Sequence, residues 1–356
     1  MKVLMVGVDN KAAGGMWTVI ENYLNNKEFC EGINLKYIPT ATSSFLLKKL
    51  LFSAKGLIKV FLYLIFNKID IVHVHMAEKG SVFREGIVVV FSKIMKRKVI
   101  IHMHGATFEE WYSNQKKIIK NLVRYIFNLC DMFLILGEFY RPFMKTIILD
   151  ETKINVLYNA VYVPKYNKYN KNGNEIIFLG MLIERKGIDD LLNAIERIKN
   201  SLPNNIIFKL YGMDKNGNIE KKISESGLGN VVKYCGWMTY DMRDECFSKS
   251  IINVLPSYHE GLPMSILETM SYGIPNISTY VAGIPEVIRN NQDGILINPG
   301  EVDKLSRILL ELIENVDLRE SFSNNSYNHI KATFNVKKHI EKLEKFYNDL
   351  IGLKER

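Results

Sequence analysis

The stretch IINVLPSYHEGLPMSILETMSYGIP, from Ile251 to Pro275, reads as a strand, a loop and a helix in that order. Ile251 to Leu255 is a continuous, β-branched-rich apolar run, the pattern of a strand covered on both faces of a parallel sheet. Ser257 to Leu262 has no apolar period and reads as the loop. Pro263 suits the first helical position, where its missing amide costs nothing. The helix should reach about Tyr272, with Gly273 as its stop and Pro275 barring continuation. Two carboxylates sit in this unit with seven residues between them, Glu260 in the loop and Glu268 in the second helical turn.

The same alternation extends along the chain. Strand-like runs occur at KVLMVGV, INLKYIP, IDIVHVH, KVIIHMHG, MFLILGE and INVLYNAV, then at NEIIFLG, IIFKLYG, VVKYCG, IINVLPS, PNISTY and GILINP. The segments between them are long enough for crossover helices, as in GIDDLLNAIERIKN. Between the two series, Val163 to Asn174 is polar and aromatic with no apolar period, and reads as a linker. The expected architecture is α/β, with two Rossmann-like, doubly wound domains at 1–165 and 166–335. Ligands of such sheets bind beyond the carboxyl ends of the strands, so a central cleft between the domains is the expected site. Residues 336–356 read as one amphipathic helix.

Bulk properties narrow the classes. A chain of 356 residues with 47% apolar and 24% charged residues has the balance of an ordinary globular protein. No uncharged apolar run approaches the ~20 residues of a membrane span. Met1 and Lys2 lead directly into a strand, with no small-residue cleavage site of a leader. The four cysteines show neither metal nor redox spacing, which points to a reducing, cytoplasmic location. A net charge of +9 suits an anionic partner. Nucleic acid is disfavoured, because no basic groove with interleaved aromatics is evident.

The chemistry-bearing residues then fall into four groups. Free amides near Gly261, Leu262, Met264 and Ser265, at the helix that Pro263 opens, form an anion site that a diphosphate fits, and this stretch, Pro263 included, is the expected donor-binding segment. Glu260 would repel that anion unless it turns towards hydroxyl groups, which a sugar supplies; Glu268 would hold the pair on a ribose. In FLGMLIERKG, Arg185 and Lys186 follow a strand and can neutralise a departing diphosphate. No D-x-D cluster accompanies them, so no metal or other cofactor is needed there. Gly14 and Gly15, between the first strand and its helix, permit close backbone approach to a ligand. His104, at the end of IIHMHG, can donate to a sugar hydroxyl.

At these residues the chain resembles family 4 of the retaining glycosyltransferases, with the GT-B fold. The similar pieces are GG at Gly14, DIVHVH from Asp70, HMHGATF from His102, FLGMLIERKG from Phe178, GW at Gly236, LPSYHEGLPMSILETMSYGIP from Leu255, and AGIPE and NQDGILINPG from Ala282 onward. The resemblance implies sugar transfer from a nucleotide-diphosphate sugar, a uridine one by the family's habit, with retention and without metal. It places Glu260 on the donor sugar, Glu268 on the ribose, Arg185 and Lys186 on the diphosphate, His104 near the reacting centre, and Gly14 and Gly15 towards the phosphates and acceptor. It also implies that the C-terminal helix crosses back onto the first domain. Three positions depart from the family's usual residues: Met181 for Arg, Ala282 for Gly and Thr269 for Ala.

A catalytically silent nucleotide-sugar-binding subunit of the same fold is the alternative function, and the intact residue set argues against it. His73, His75, His102 and His104 invite zinc, but residues on one strand face lie ~7 Å apart and no Cys or acidic ligand joins them. DKNGNIEKKISE from Asp214 mimics a calcium loop with Ile219 where glycine is required. Ser43 to Phe66 places Lys48, Lys55 and Lys59 within roughly 40° of one another on a helix, among Leu, Phe and Ile. This stretch fits an anionic membrane surface at the inner face of the plasma membrane, where a saccharide or lipid-linked acceptor would be met. It equally fits a crossover helix packed on the sheet with its lysines in water.

Overall fold

The computed structural model describes residues 1–12 and 14–352, so residues 353–356 of the expected terminal helix lie outside the described residues. The chain divides into two compact units, Met1–Ala160 with Val336–Arg356, and Val161–Asn335.

The first unit is built on β1 (Val3–Val8), β2 (Leu35–Ala41), β3 (Ile71–Met76), β4 (Lys98–Met103), β5 (Met132–Ile135) and β6 (Ile154–Val156). They form one parallel sheet in the order β2-β1-β3-β4-β5-β6. The chain leaves β1 in one direction to make β2 and returns to the other side of β1 to make β3. That reversal opens a crevice at the carboxyl ends of β1 and β3, where a doubly wound sheet takes its ligands. β3 is buried at every residue, as its unbroken apolar-and-histidine run requires.

The second unit is built on β7 (Glu175–Leu179), β8 (Ile207–Tyr211), β9 (Val232–Gly236), β10 (Ser250–Leu255), β11 (Asn276–Thr279) and β12 (Gly294–Ile297). Its parallel order is β12-β11-β10-β7-β8-β9. The reversal falls between β7 and β10. The loops after these two strands are those that carry Arg185–Lys186 and Glu260, so residues 74 apart in sequence meet because the sheet order makes their strands neighbours.

The unit boundary follows Ala160, not Lys165, and Val163–Asn174 is not a tether. Tyr327 Oη donates within 2.8 Å of the carbonyls of Pro164 and Lys165, and Asn167 Nδ2 donates to Ser323 Oγ at 2.9 Å. A polar, aperiodic segment can pack through its backbone carbonyls, which leaves no apolar period to read.

The helix Val336–Ile351 lies in the first unit. His339 donates from Nδ1 to the Tyr158 carbonyl at 2.7 Å, and Tyr347, wholly buried, stacks on Phe29. The helix Leu46–Phe66 buries Gly56, Val60 and Leu64 against the sheet. A Cβ at Gly56 would stand 2.6 Å from the Pro39 carbonyl oxygen, so only glycine allows this helix to lie so close to β2. The crossover reading therefore holds for one face. The other face exposes Phe45, Leu46, Leu47, Leu50, Leu51, Ile58, Leu62, Ile65 and Phe66 together with Lys48, Lys49, Lys55 and Lys59. Among the described residues no helix is long and apolar enough to cross a membrane.

Candidate functional site

In the second unit the helix runs from Met264 to Ser271, with Pro263 one place earlier than expected, as its N-cap. No side chain caps this end. The amides of Met264, Ser265 and Ile266 find no acceptor among the described residues. A helix start with three unpaired donors is a standing site for an anion. Leu262 and Met264 are buried beside it, and Gly261 accepts from the Gly283 amide at 3.0 Å. This last bond explains Ala282. Its φ of 47° is the left-handed conformation that glycine takes without strain, and the residue holds it to deliver Gly283 to the loop.

The loop after β7 closes onto the loop after β10. Gly187 has φ 70°, and a Cβ there would sit 2.0 Å from the Pro256 carbonyl oxygen. The Arg185 carbonyl accepts from the Tyr258 amide at 2.9 Å, and Arg185 Nη1 donates to the His259 carbonyl at 2.9 Å. Lys186 is thereby placed with Nζ 2.5 Å from Glu260 Oε1, and Ser257 Oγ donates to the same oxygen at 2.7 Å. The lysine and glutamate side chains are 14% and 5% exposed, so this is a largely desolvated ion pair. The sequence reading gave these two residues separate tasks; the structure pairs them. Glu268 lies 3.1 Å from Arg243 Nη2, and Arg243 covers the Tyr240 ring at 5.2 Å. Arg243, Tyr240 and Ser257 were not among the expected site residues. Arg243 opens the helix Arg243–Lys249 after β9, and no local period marks it.

The remaining expected residues belong to the first unit. Gly14 is the N-cap of the helix Gly15–Leu24, with φ 149° and nothing near the position of a Cβ. His104 follows β4, its amide bonded to the Met76 carbonyl at 2.7 Å. A Cβ at Gly105 would fall 2.3 Å from Glu78 Oε2 and 3.0 Å from the Glu78 amide nitrogen, so the Glu78 side chain packs closely over the residue after His104.

His104 is one of five clustered histidines. His75 Nδ1 and His104 Nε2 are 2.8 Å apart, His73 Nε2 and His102 Nδ1 3.3 Å, His73 Nδ1 and Tyr347 Oη 2.6 Å, and His339 Nε2 and Tyr23 Oη 2.5 Å. One ligand atom each from His73, His75 and His102 fall within 4.8 Å of one another. The ~7 Å spacing along one strand is thus the wrong measure, because β3 and β4 are paired and His75 lies opposite His102 across the ladder. Both nitrogens of His73, however, are already engaged. Burial depresses all five rings, His73 and His104 to about 3 and His339 to about 4, so they are neutral near pH 7.

The Asp214 segment is a capped turn: its carboxylate takes the amides of Asn216, Gly217 and Ile219, the last opening the helix Ile219–Glu225.

Two parallel, doubly wound sheets of this kind are the GT-B architecture. Over 99% of its length it superposes on all of sucrose-phosphate synthase from Thermosynechococcus elongatus with a TM-score of 0.81 at 14% identity. Anabaena HepE, solved in complex with UDP, is similar over 98% of this chain and 100% of its own, with a TM-score of 0.76 at 16% identity. Residues 164–329, most of the second unit, match the family model described as Glycosyl transferases group 1. In sequence it is 25% identical over 340 residues to the UDP-Gal:alpha-D-GlcNAc-diphosphoundecaprenol alpha-1,3-galactosyltransferase of Escherichia coli, covering 90% of this chain and 85% of the relative.

Proposed function

We propose that this glycosyltransferase, of the family 4 type, moves a sugar with retention from a nucleotide-diphosphate sugar, a uridine one, to a saccharide or lipid-linked saccharide in cell-surface polysaccharide synthesis. The observation that carries this reading is the uncapped start of the Met264–Ser271 helix beside the Lys186–Glu260 pair. Three unpaired amides and a lysine held only by a carboxylate suit a diphosphate. On its arrival Lys186 turns from Glu260 to phosphate, and Glu260 keeps Ser257 and gains a sugar hydroxyl. Glu268 takes the ribose, with Arg243 holding its carboxylate in place. His104 donates to the sugar being transferred. The leaving phosphate accepts the acceptor's proton on the same face, the mechanism that the resemblance implies. Positioning and charge stabilisation then supply the catalysis. The activity for which the E. coli relative is named, on a diphosphoundecaprenol-linked sugar, supports the donor and acceptor classes.

The test is nucleotide release on mixing uridine, guanosine or adenosine diphosphate sugars with lipid-linked and free acceptors, with the product's anomeric configuration read by NMR. Transfer with retention, undiminished by a chelator, is expected. An inverted product would overturn the mechanism, and donor hydrolysis or binding without transfer would favour the silent subunit. Glu268→Ala should raise the donor KM roughly 10–100-fold, the worth of about 1.5–3 kcal/mol for hydrogen bonds to a charged group, with kcat at saturating donor unchanged. A fall in kcat instead would remove Glu268 from the ribose.

We further propose that the exposed face of Leu46–Phe66 rests on an anionic membrane. The helix Gly80–Ile94 adjoins it through Phe61 and Phe91, whose rings are 4.4 Å apart, and in turn meets Lys117–Leu129 where Gly86 faces Ile126. These helices add exposed Ile87, Ile94, Ile118, Leu122 and Tyr125 to the apolar surface. Lysines near such a surface contribute about 1 kcal/mol each. Changing Lys48, Lys49, Lys55 and Lys59 to Glu should abolish sedimentation with phosphatidylglycerol vesicles and leave melting unaltered. Equal binding by the variant would end this reading.

A further inference from the structure

The histidine cluster of the first unit fixes the proton positions on His104, and this follows from hydrogen-bond accounting on neutral rings. A neutral imidazole carries one N–H and one bare nitrogen. His75 Nε2 and His102 Nε2 are buried and partnerless among the described residues. A proton on either would be an N–H buried with no acceptor, the costlier and rarer defect. Both rings therefore carry their proton on Nδ1. His75 Nδ1–H then has one acceptor, His104 Nε2 at 2.8 Å, and that nitrogen must be bare. His104, being neutral, holds its proton on Nδ1. The same rule runs through the neighbours. His102 Nδ1–H donates to His73 Nε2, and His73 Nδ1–H to Tyr347 Oη. His339 Nδ1 faces a carbonyl, which only accepts, so it too bears the proton. This assignment gives an acceptor to the N–H of His73, His75, His102 and His339, and it makes all five rings the same tautomer.

We propose that His75 is a positioning residue for sugar transfer: its Nδ1–H donates to His104 Nε2 and locks His104 as the Nδ1–H tautomer, so that His104 meets the donor sugar as a hydrogen-bond donor and not as a base. The proposal rests on the role given to His104 above. The low pKa values of the rings agree with it, since protonation would place two N–H groups nose to nose. His102 and His73 hold the other side of the stack: His102 and His104 have ring centroids 4.2 Å apart, and His73 and His75 4.6 Å. The buried Tyr347 therefore anchors the array from the C-terminal helix.

Nitrogen-15 NMR of the imidazoles in the full chain tests this, because protonated and bare ring nitrogens resonate far apart. The His104 signals are assigned by their loss in His104→Asn. In the wild type His104 should show a bare Nε2 and a protonated Nδ1. In His75→Phe it should move towards the Nε2–H form, and kcat should fall by on the order of 10–100-fold, as when partners that orient a functional histidine are removed, with the donor KM little changed. His75→Asn, whose amide N–H can take the place of Nδ1–H, should recover most of both. A protonated Nε2 on His104 in the wild type, or an unmoved tautomer in His75→Phe, overturns the assignment. A moved tautomer with unchanged kcat overturns the role of His104 in transfer and leaves the tautomer assignment standing. Should His75→Phe fail to fold, the wild-type spectrum and His75→Asn still decide.

Discussion

Lys186→Ala is expected to lower kcat by on the order of 10²–10³-fold, the loss typical of one preorganised group that stabilises developing charge. The variant carries a second consequence, because Lys186 is also the partner of buried Glu260. Stripping one member from a desolvated pair strands the other, at about 3–5 kcal/mol when burial is complete. Stability and turnover therefore fall together, and the single variant cannot say which loss drives the other. Lys186→Met with Glu260→Gln separates them. Methionine fills the volume of the lysine stem, and the glutamine amide keeps a hydrogen bond to Ser257 without a charge to compensate. This double variant should melt within a few degrees of the wild type and stay inactive. Full activity in it would show that neither charge acts on the diphosphate or the sugar.

Gly187→Ala should be strongly destabilising to the second unit. The residue has φ 70° and ψ 25°, a conformation that costs an alanine about 1–2 kcal/mol. The added Cβ would also press on the Pro256 carbonyl, 2.0 Å from its oxygen and 2.7 Å from its carbon. Backbone cannot turn aside as a side chain would. Either the loop after β10 retreats, taking His259 and Glu260 from Arg185 and Lys186, or the loop after β7 does. A total beyond about 4 kcal/mol, in the exceptional class for point changes, is expected from chemical denaturation. The transferase activity of whatever remains folded should also fall, since the clash lies between the two loops that carry the ion pair. A denaturation midpoint like that of the wild type would mean that these loops do not meet as described.

What the sequence shows and what it hides follow from the range of each interaction. Strands and crossover helices are written in local period, and every quoted run became a strand of one of the two sheets. The helix from Met264 was legible because proline, glycine and proline punctuate it. The pairing of Lys186 with Glu260 was not, because it depends on β7 and β10 being neighbours, a fact of sheet order that periodicity does not encode. Arg243 escaped for the same reason. The histidines were seen as strand-period pairs, but their contacts run across the ladder, between His75 and His104 and between His73 and His102. The linker was misjudged because a segment can be bound by its carbonyls without apolar residues to announce it.

The last helix gives the chain an order of events during its synthesis. Tyr347 and His339 complete the interior around Tyr23, Phe29 and His73, so the unit begun by β1 stays open until synthesis has passed residue 347. The contiguous unit Val161–Asn335 has all of its own strands before that moment. A stop codon just after Asn335 would therefore spoil the unit begun far upstream, while the unit nearer the lesion could still close.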